Sequence, residues 1–179
     1  MRKNSAIAKA PGRSIPSFAQ GFVDESTRKR LKHIVAPHVD SFNYFLEMGL
    51  KTAIANMLPL DMKLGDNGPF ITMKVESAQI AFPTKKDDMV EKELTPREAR
   101  ERGMTYAGAM SANLTVELSD GNKFDVQVRL GQLPIMVMSE KCHLRGASGK
   151  KLVFDFKEEA NEMGGYFILN GIERVVCFF

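Results

Sequence analysis

The side chains able to do acid, base, nucleophilic or metal chemistry are few and dispersed. His33, His38 and His143 are scattered along the chain, and Cys142 and Cys177 lack CxxC spacing. Neither a zinc site nor a disulfide framework is therefore predicted. Cys142 and His143 are neighbours, and on a strand they would point to opposite faces, which is poor geometry for one shared metal. The pair reads as a buried thiol beside a surface imidazole. Paired carboxylates occur only in surface-type runs such as Asp87-Asp88 and Glu158-Glu159. No Walker, GxGxxG, HExxH or GxSxG motif is present. Nothing assembles a nucleophile, a base and an oxyanion donor, so no catalytic residue is assigned. What remains is cationic. Arg97, Arg100 and Arg102 share one short segment, and their guanidinium groups suit either a solvated helix face or contact with phosphate.

These arginines must be positioned by a helix. Thr95-Pro96-Arg97-Glu98 is a capping box with proline at the first helical position, predicting a helix over 96–102 that stops at Gly103. Ahead of it, Asp24 or Ser26 could cap a short helix reaching Val35, with Phe18, Phe22 and Val23 as anchors. Pro37 then separates a second helix, roughly 38–57. Its stripe of Phe42, Phe45, Leu46, Gly49, Leu50, Ala53, Ile54 and Met57 follows helical spacing and reads as a core or partner-packing face. Pro59 follows its end.

Strand signals take over after the turn residues 65–69. Ile71, Met73 and Val75 alternate, then the phase slips to Ala78, Ile80 and Phe82, as a β-bulge or bend requires. Residues 83–92 are charged and read as an exposed loop. Leu114, Val116 and Leu118, the turn 119–122, and Phe124, Val126, Val128 and Leu130 form the clearest hairpin. Lys123, Asp125, Gln127 and Arg129 are assigned to its wet face. Gly131 and Pro134 should break that strand. Residues 135–138 read as a strand buried on both faces, 146–151 as a flexible basic loop, and 157–163 as a short helix. Gly164-Gly165 can stop that helix, Tyr166 to Leu169 suit a buried strand, and Asn170-Gly171 suits a two-residue hairpin turn. The second strand of this hairpin starts as the sequence ends, which reads as the front part of something larger.

The 179 residues are 44% apolar and 26% charged, an ordinary globular balance with room for one sizeable domain. The net charge of +3 is uneven: residues 1–36 carry eight Lys/Arg against Asp24 and Glu25, leaving −3 for the rest. Residues 1–16 lack periodicity and read as a disordered basic tail. No signal peptide and no apolar run near the roughly 20 residues that span a membrane is found; a reducing intracellular compartment fits. The fold class expected from the residues is α+β, with N-terminal helices followed by an antiparallel β-sheet.

Four ordered blocks resemble a known family. They are His38-Val39-Asp40-Ser41-Phe42-Asn43-Tyr44-Phe45-Leu46; Thr95 to Arg102 with Thr105-Tyr106; Leu133-Pro134-Ile135-Met136-Val137-Met138-Ser139 with Cys142 and Leu144; and Glu162 to Val175 through Gly-Gly-Tyr-Phe-Ile and Asn170-Gly171. Together, across about 17–175, they resemble the N-terminal part of the second-largest subunit of multisubunit DNA-directed RNA polymerase. The nuclear polymerase I member is the most similar, through 158–163 and Gly131-Gln132-Leu133.

The resemblance implies that residues 17–179 are the N-terminal part of the protrusion domain, one wall of the DNA cleft. It implies a nucleotidyltransferase complex in the nucleus and nucleolus, whose partners are the largest subunit, other polymerase subunits and DNA. No cofactor is expected on this chain; the magnesium of the complete enzyme is held by the largest subunit. Candidate phosphate contacts are Arg97, Arg100, Arg102, Lys150, Lys151 and Arg174. The isolated chain is expected to be inactive. An incomplete protrusion leaves sheet edges and the 175–179 run unpaired, which predicts aggregation. An alternative is a truncated, non-catalytic fragment that only binds polymerase partners, or a product with no function.

Overall fold

A computed structural model describes residues 25–65, 68–87 and 90–176. The expectations for the 1–16 tail, for Phe18, Phe22, Val23 and Asp24, for Asp66-Asn67, for Asp88 and for 177–179 lie outside the described residues.

Helix α1 (Glu25–Tyr44) runs straight through Pro37, where the sequence predicted a break. A mid-helix proline loses one backbone bond and crowds the preceding turn. Here tertiary contacts hold both halves of the helix. Val35, before the proline, packs on Gly165, and Phe42, after it, packs on the core. The helix continues as a π turn, Phe45–Gly49, in which the Leu50 N–H bonds to the Phe45 carbonyl, and then as α2 (Leu50–Ala55). The π turn rephases the apolar stripe. Phe42, Leu46 and Leu50, spaced four by four, reach the core, whereas Phe45, Ala53 and Met57 are exposed.

Five antiparallel strands follow: β1 (Leu60–Lys63), β2 (Phe70–Asp87), β3 (Val90–Glu93), β4 (Ala107–Leu118) and β5 (Lys123–Pro134). Their order is β1-β2-β4-β5, with β3 paired to the far end of β2. The phase slip after Val75 is a register shift between Val75 and Ser77. Within the expected loop 83–92, residues 83–87 are instead the end of β2 and 90–92 belong to β3, with Thr84 opposite Glu93. Pro83 is fully buried there. The charges misled because a two-stranded ribbon outside the main sheet needs no apolar alternation. β5 passes Gly131 rather than breaking there, and it ends at Pro134 as expected. Gly131 pairs with Met110 at a register shift, after which Ser111 pairs with Arg129, and on an edge strand the missing proline N–H costs no ladder bond.

On β5, Phe124 and Val126 pair with Val116 and Leu114 on one face, yet they remain 53% and 43% exposed. The polar positions are exposed too, so this end of β5 is wet on both faces. Contiguous exposed apolar surface promotes association. Phe124→Ser with Val126→Thr is expected to raise the soluble fraction and weaken binding of a hydrophobic dye, with unchanged circular dichroism. Unchanged dye binding in a folded variant would show that this face is not the sticky one.

The core is gathered by loops as much as by strands. Ile135, Met136 and Val137 are buried as expected but do not form a strand. The Ile135 N–H bonds to Tyr106, and Val137 exchanges bonds with Tyr166 and Gly165, so the segment ties two neighbours without a ladder. Cys142 is buried, but His143 is not the surface imidazole expected. Its side chain is 11% exposed, its Nε2 lies 2.8 Å from the Pro83 carbonyl, and its ring packs on Phe82. Successive turns over 139–147, not a strand, carry these residues, so neighbours need not diverge.

The helix expected over 157–163 is absent. Helix α4 (Lys150–Phe154) precedes that stretch, because Leu152 is drawn fully into the core and the Glu158 N–H closes back on the Leu152 carbonyl. Helix α3 (Pro96–Glu101) is capped as predicted, Thr95 Oγ1 accepting from the Glu98 N–H at 3.3 Å. The chain ends in the predicted hairpin, β6 (Phe167–Leu169) and β7 (Ile172–Arg174), around Asn170-Gly171 with φ of 52° and 77°. The fold is thus α+β, helices followed by an antiparallel sheet.

Candidate nucleic-acid interface

The six cations singled out from sequence separate into three situations. Arg100 points inward from α3. Its Nη1 donates to the Tyr166 hydroxyl at 3.0 Å and to Glu173 Oε1 at 3.1 Å, and its Nη2 donates to Glu158 Oε2. The guanidinium side chain is 24% exposed and the Glu158 side chain 3%. Arg97 and Arg102 flank it on the outside. Arg97 donates to Glu101 Oε1 at 2.6 Å and to the Lys157 carbonyl at 2.7 Å; Arg102 lies 3.0 Å from Glu98. Both remain about half exposed, at 45% and 51%, and one-turn ion pairs at a surface are weak. Lys150 and Lys151 at the start of α4 and Arg174 on β7 are exposed and form no ion pair among the described residues. The last three, with Arg97 and Arg102, have charge available to an external phosphate. Arg100 has its donors engaged within the chain.

The interior around Arg100 is polar and strained electrostatically. Burial pushes the Glu158 carboxyl up from its ordinary value, against the pull of Arg100. Glu158 Oε1 is buried without a hydrogen-bond partner. Burial opposes the Arg100 charge as well, but Tyr166, Glu158 and Glu173 outweigh it and its affinity for the proton rises. Tyr166 donates to Glu162 Oε2 at 2.8 Å, and burial followed by that carboxylate pushes its hydroxyl beyond the usual phenol range. Burial likewise raises the Cys142 thiol, which suits an inert core sulfur rather than a nucleophile. Among the described residues no group of three His, Cys, Asp or Glu side chains is placed to hold a metal ion. No described helix is long and apolar enough to cross a membrane.

Sequence reasoning missed Arg28, Lys29 and Lys32 as a group. They lie on the first turns of α1, beside the turn 146–148, and an ideal Cβ at Gly149 would stand 3.9 Å from Arg28 Nη1. The basic run was visible in the sequence; its neighbour, more than a hundred residues later, was not.

The four sequence blocks converge in space. Phe42 of the first meets Phe167 of the fourth edge to face at 5.3 Å. Tyr106 of the second takes the His143 N–H on its hydroxyl at 3.0 Å, lies 3.5 Å from Cys142 Sγ of the third, and bonds through its backbone to Ile168 of the fourth. Separated motifs that build one core mark a shared architecture, not four coincidences. A model of the family described as RNA polymerase beta subunit matches residues 33–178. The chain belongs to the RNA polymerase beta subunit family.

Within that family it is similar to polymerase I subunits. It is 42% identical over 148 residues to the DNA-directed RNA polymerase I subunit RPA2 homolog of Caenorhabditis elegans, covering 80% of this chain and 13% of the relative. It is 37% identical over 166 residues to DNA-directed RNA polymerase I subunit rpa2 of Dictyostelium discoideum, covering 83% and 14%. It is 36% identical over 163 residues to DNA-directed RNA polymerase I subunit RPA2 of Homo sapiens, covering 90% and 14%. The matched part therefore spans about one seventh of these curated relatives.

Proposed function

We propose that this chain works as the N-terminal part of the second-largest subunit of DNA-directed RNA polymerase I, within the protrusion domain. There it forms part of the wall of the DNA cleft during ribosomal RNA synthesis, in the nucleolus. The observation that carries this reading is the similarity to polymerase I subunits over 80% to 90% of the chain. The chain supplies shape and phosphate contact, not chemistry. Its partners are the largest subunit, other polymerase subunits and DNA. Nucleotidyl transfer uses magnesium on the largest subunit, and this chain holds no cofactor. The candidates for phosphate contact are Lys150, Lys151 and Arg174, which form no ion pair among the described residues, and Arg97 and Arg102, whose exposed ion pairs with Glu101 and Glu98 are weak.

Two measurements test this. The isolated chain with template, magnesium and nucleotides is expected to make no RNA; template-directed product would overturn the assignment of chemistry elsewhere. In polymerase I assembled with a second-largest subunit carrying Lys150→Glu, Lys151→Glu and Arg174→Glu, DNA affinity should fall. Its logarithmic salt dependence should flatten by about 0.9 for each phosphate left without its cation. An intact assembly with an unchanged salt slope would remove these residues from the cleft wall.

A further inference from the structure

Between α1 and the turn 146–148 lies a groove of about 530 Å³, within the range of roughly 300–1,000 Å³ typical of ligand sites. One helical stripe walls it, from Arg28 through Lys32, Val35 and Val39 to Asp40, and Met138, Ser148 and Met163 face that stripe. Val35 of this wall packs on Gly165. A Cβ there would stand 2.5 Å from Val35 Cγ1, so only glycine lets α1 lie this close. The composition of the groove is graded. Arg28, Lys29 and Lys32 occupy one end and make no ion pair among the described residues. The middle is apolar, with two adaptable methionines of the kind that suits variable apolar guests. Asp40 lies at the other end of the stripe, and Glu162 also lines the groove, its two oxygens accepting from the Gly164 N–H and the Tyr166 hydroxyl.

We propose that this groove docks an extended peptide segment of a partner protein, acidic at the Arg28 end, apolar in the middle and basic at the Asp40 end. The stripe from Arg28 to Asp40 rises about 18 Å, which an extended chain covers in about five or six residues. Charge complementarity selects this occupant. A nucleic-acid backbone would set like charges against Asp40 and Glu162 and leave the apolar middle unused. The chain's own residues 1–16 carry Arg2, Lys3, Lys9 and Arg13 and no acid, the wrong sign for the Arg28 end. The groove shares no residue with the phosphate-facing set above, so either can fail without the other.

The test is fluorescence anisotropy on the full 179-residue chain with three probes: labelled Asp-Glu-Asp-Leu-Val-Leu-Lys, its charge-inverted twin Lys-Arg-Lys-Leu-Val-Leu-Glu, and a short DNA duplex. The acidic peptide should bind at least about tenfold tighter than its twin. Arg28→Glu with Lys32→Glu should reverse that preference. Ser148→Trp, on the rim, should weaken both peptides by plugging the groove, with circular dichroism unchanged in every variant. Equal binding of the two peptides would overturn the proposal. So would duplex binding that Ser148→Trp abolishes while peptide binding persists. A more than tenfold gain in peptide affinity on deleting residues 1–16 would assign the groove to the chain's own leading segment, and a dimer that Ser148→Trp dissociates would assign it to a second copy. Either would also overturn the proposal.

Discussion

Arg100→Met should destabilise the fold by about 3–5 kcal/mol, the usual result of removing one partner from a buried ion pair. Glu158 would be left 3% exposed with an unsatisfied oxygen and no counter-charge, while the Tyr166 hydroxyl and Glu173 would each lose a donor. That is a large share of a typical total stability of about 5–15 kcal/mol. Glu158→Gln is the informative control. It removes the charge that burial disfavours and keeps Arg100 on Tyr166 and Glu173, so its cost should stay within about 1.5 kcal/mol. If the arginine matters mainly by neutralising Glu158, the double variant should be more stable than Arg100→Met alone. Urea unfolding of the four proteins reads this directly, and additive losses would show that the pair is not coupled.

The pH dependence fixes the sign. The folded Glu158 carboxyl titrates above its ordinary value of 4.5 because of burial, with Arg100 pulling it back. A carboxyl raised in the folded state favours folding below its unfolded value and loses that contribution as pH rises through the folded one. Removing Arg100 raises the folded value further, so the variant's loss extends to higher pH. The stability gap between wild type and Arg100→Met should therefore widen as pH rises above the ordinary carboxyl range and narrow on acidification, where a proton replaces the guanidinium. A gap that widens on acidification would mean that Glu158 is not the group left stranded.

Features specified by a few adjacent residues were legible in the sequence. Thr95 caps α3, the phase slip after Val75 is a register shift, Asn170-Gly171 turns the last hairpin, and Leu114 to Leu130 pair as read. What the sequence hid depends on distant neighbours. Pro37 does not break α1, because Val35 meets Gly165, 130 positions later in the chain. The run 135–138 is buried by Tyr106 and Tyr166 rather than by strands of its own. The same limit governs the candidate site. Arg97, Arg100 and Arg102 look alike as three arginines of one helix. Only the approach of Glu158, Tyr166 and Glu173, 58 to 73 positions away, takes Arg100 out of the exposed set.

Gly164→Ala should be the other costly change, and its cause separates two roles of glycine. The sequence pattern assigns this residue to a helix stop, but no helix runs up to it; it brings the chain against Val137 and Met138. Its φ is 72°, and an added Cβ would run into the Val137 carbonyl oxygen and stand 2.5 Å from Met138 Cβ. A left-handed alanine costs about 1–2 kcal/mol, and forcing a methyl group into a filled interior costs about 1–3 more. Gly103 supplies the matched control: its φ is 64°, with nothing within 4 Å of an added Cβ. Gly103→Ala should therefore show only the backbone part, and Gly164→Ala about 2–5 kcal/mol in all, a loss on the order of 10 °C in Tm for a chain of this size. Equal melting losses would mean that backbone conformation alone explains the glycine. A clearly larger loss at Gly164 assigns the excess to close approach, the same constraint that sets α1 against Gly165.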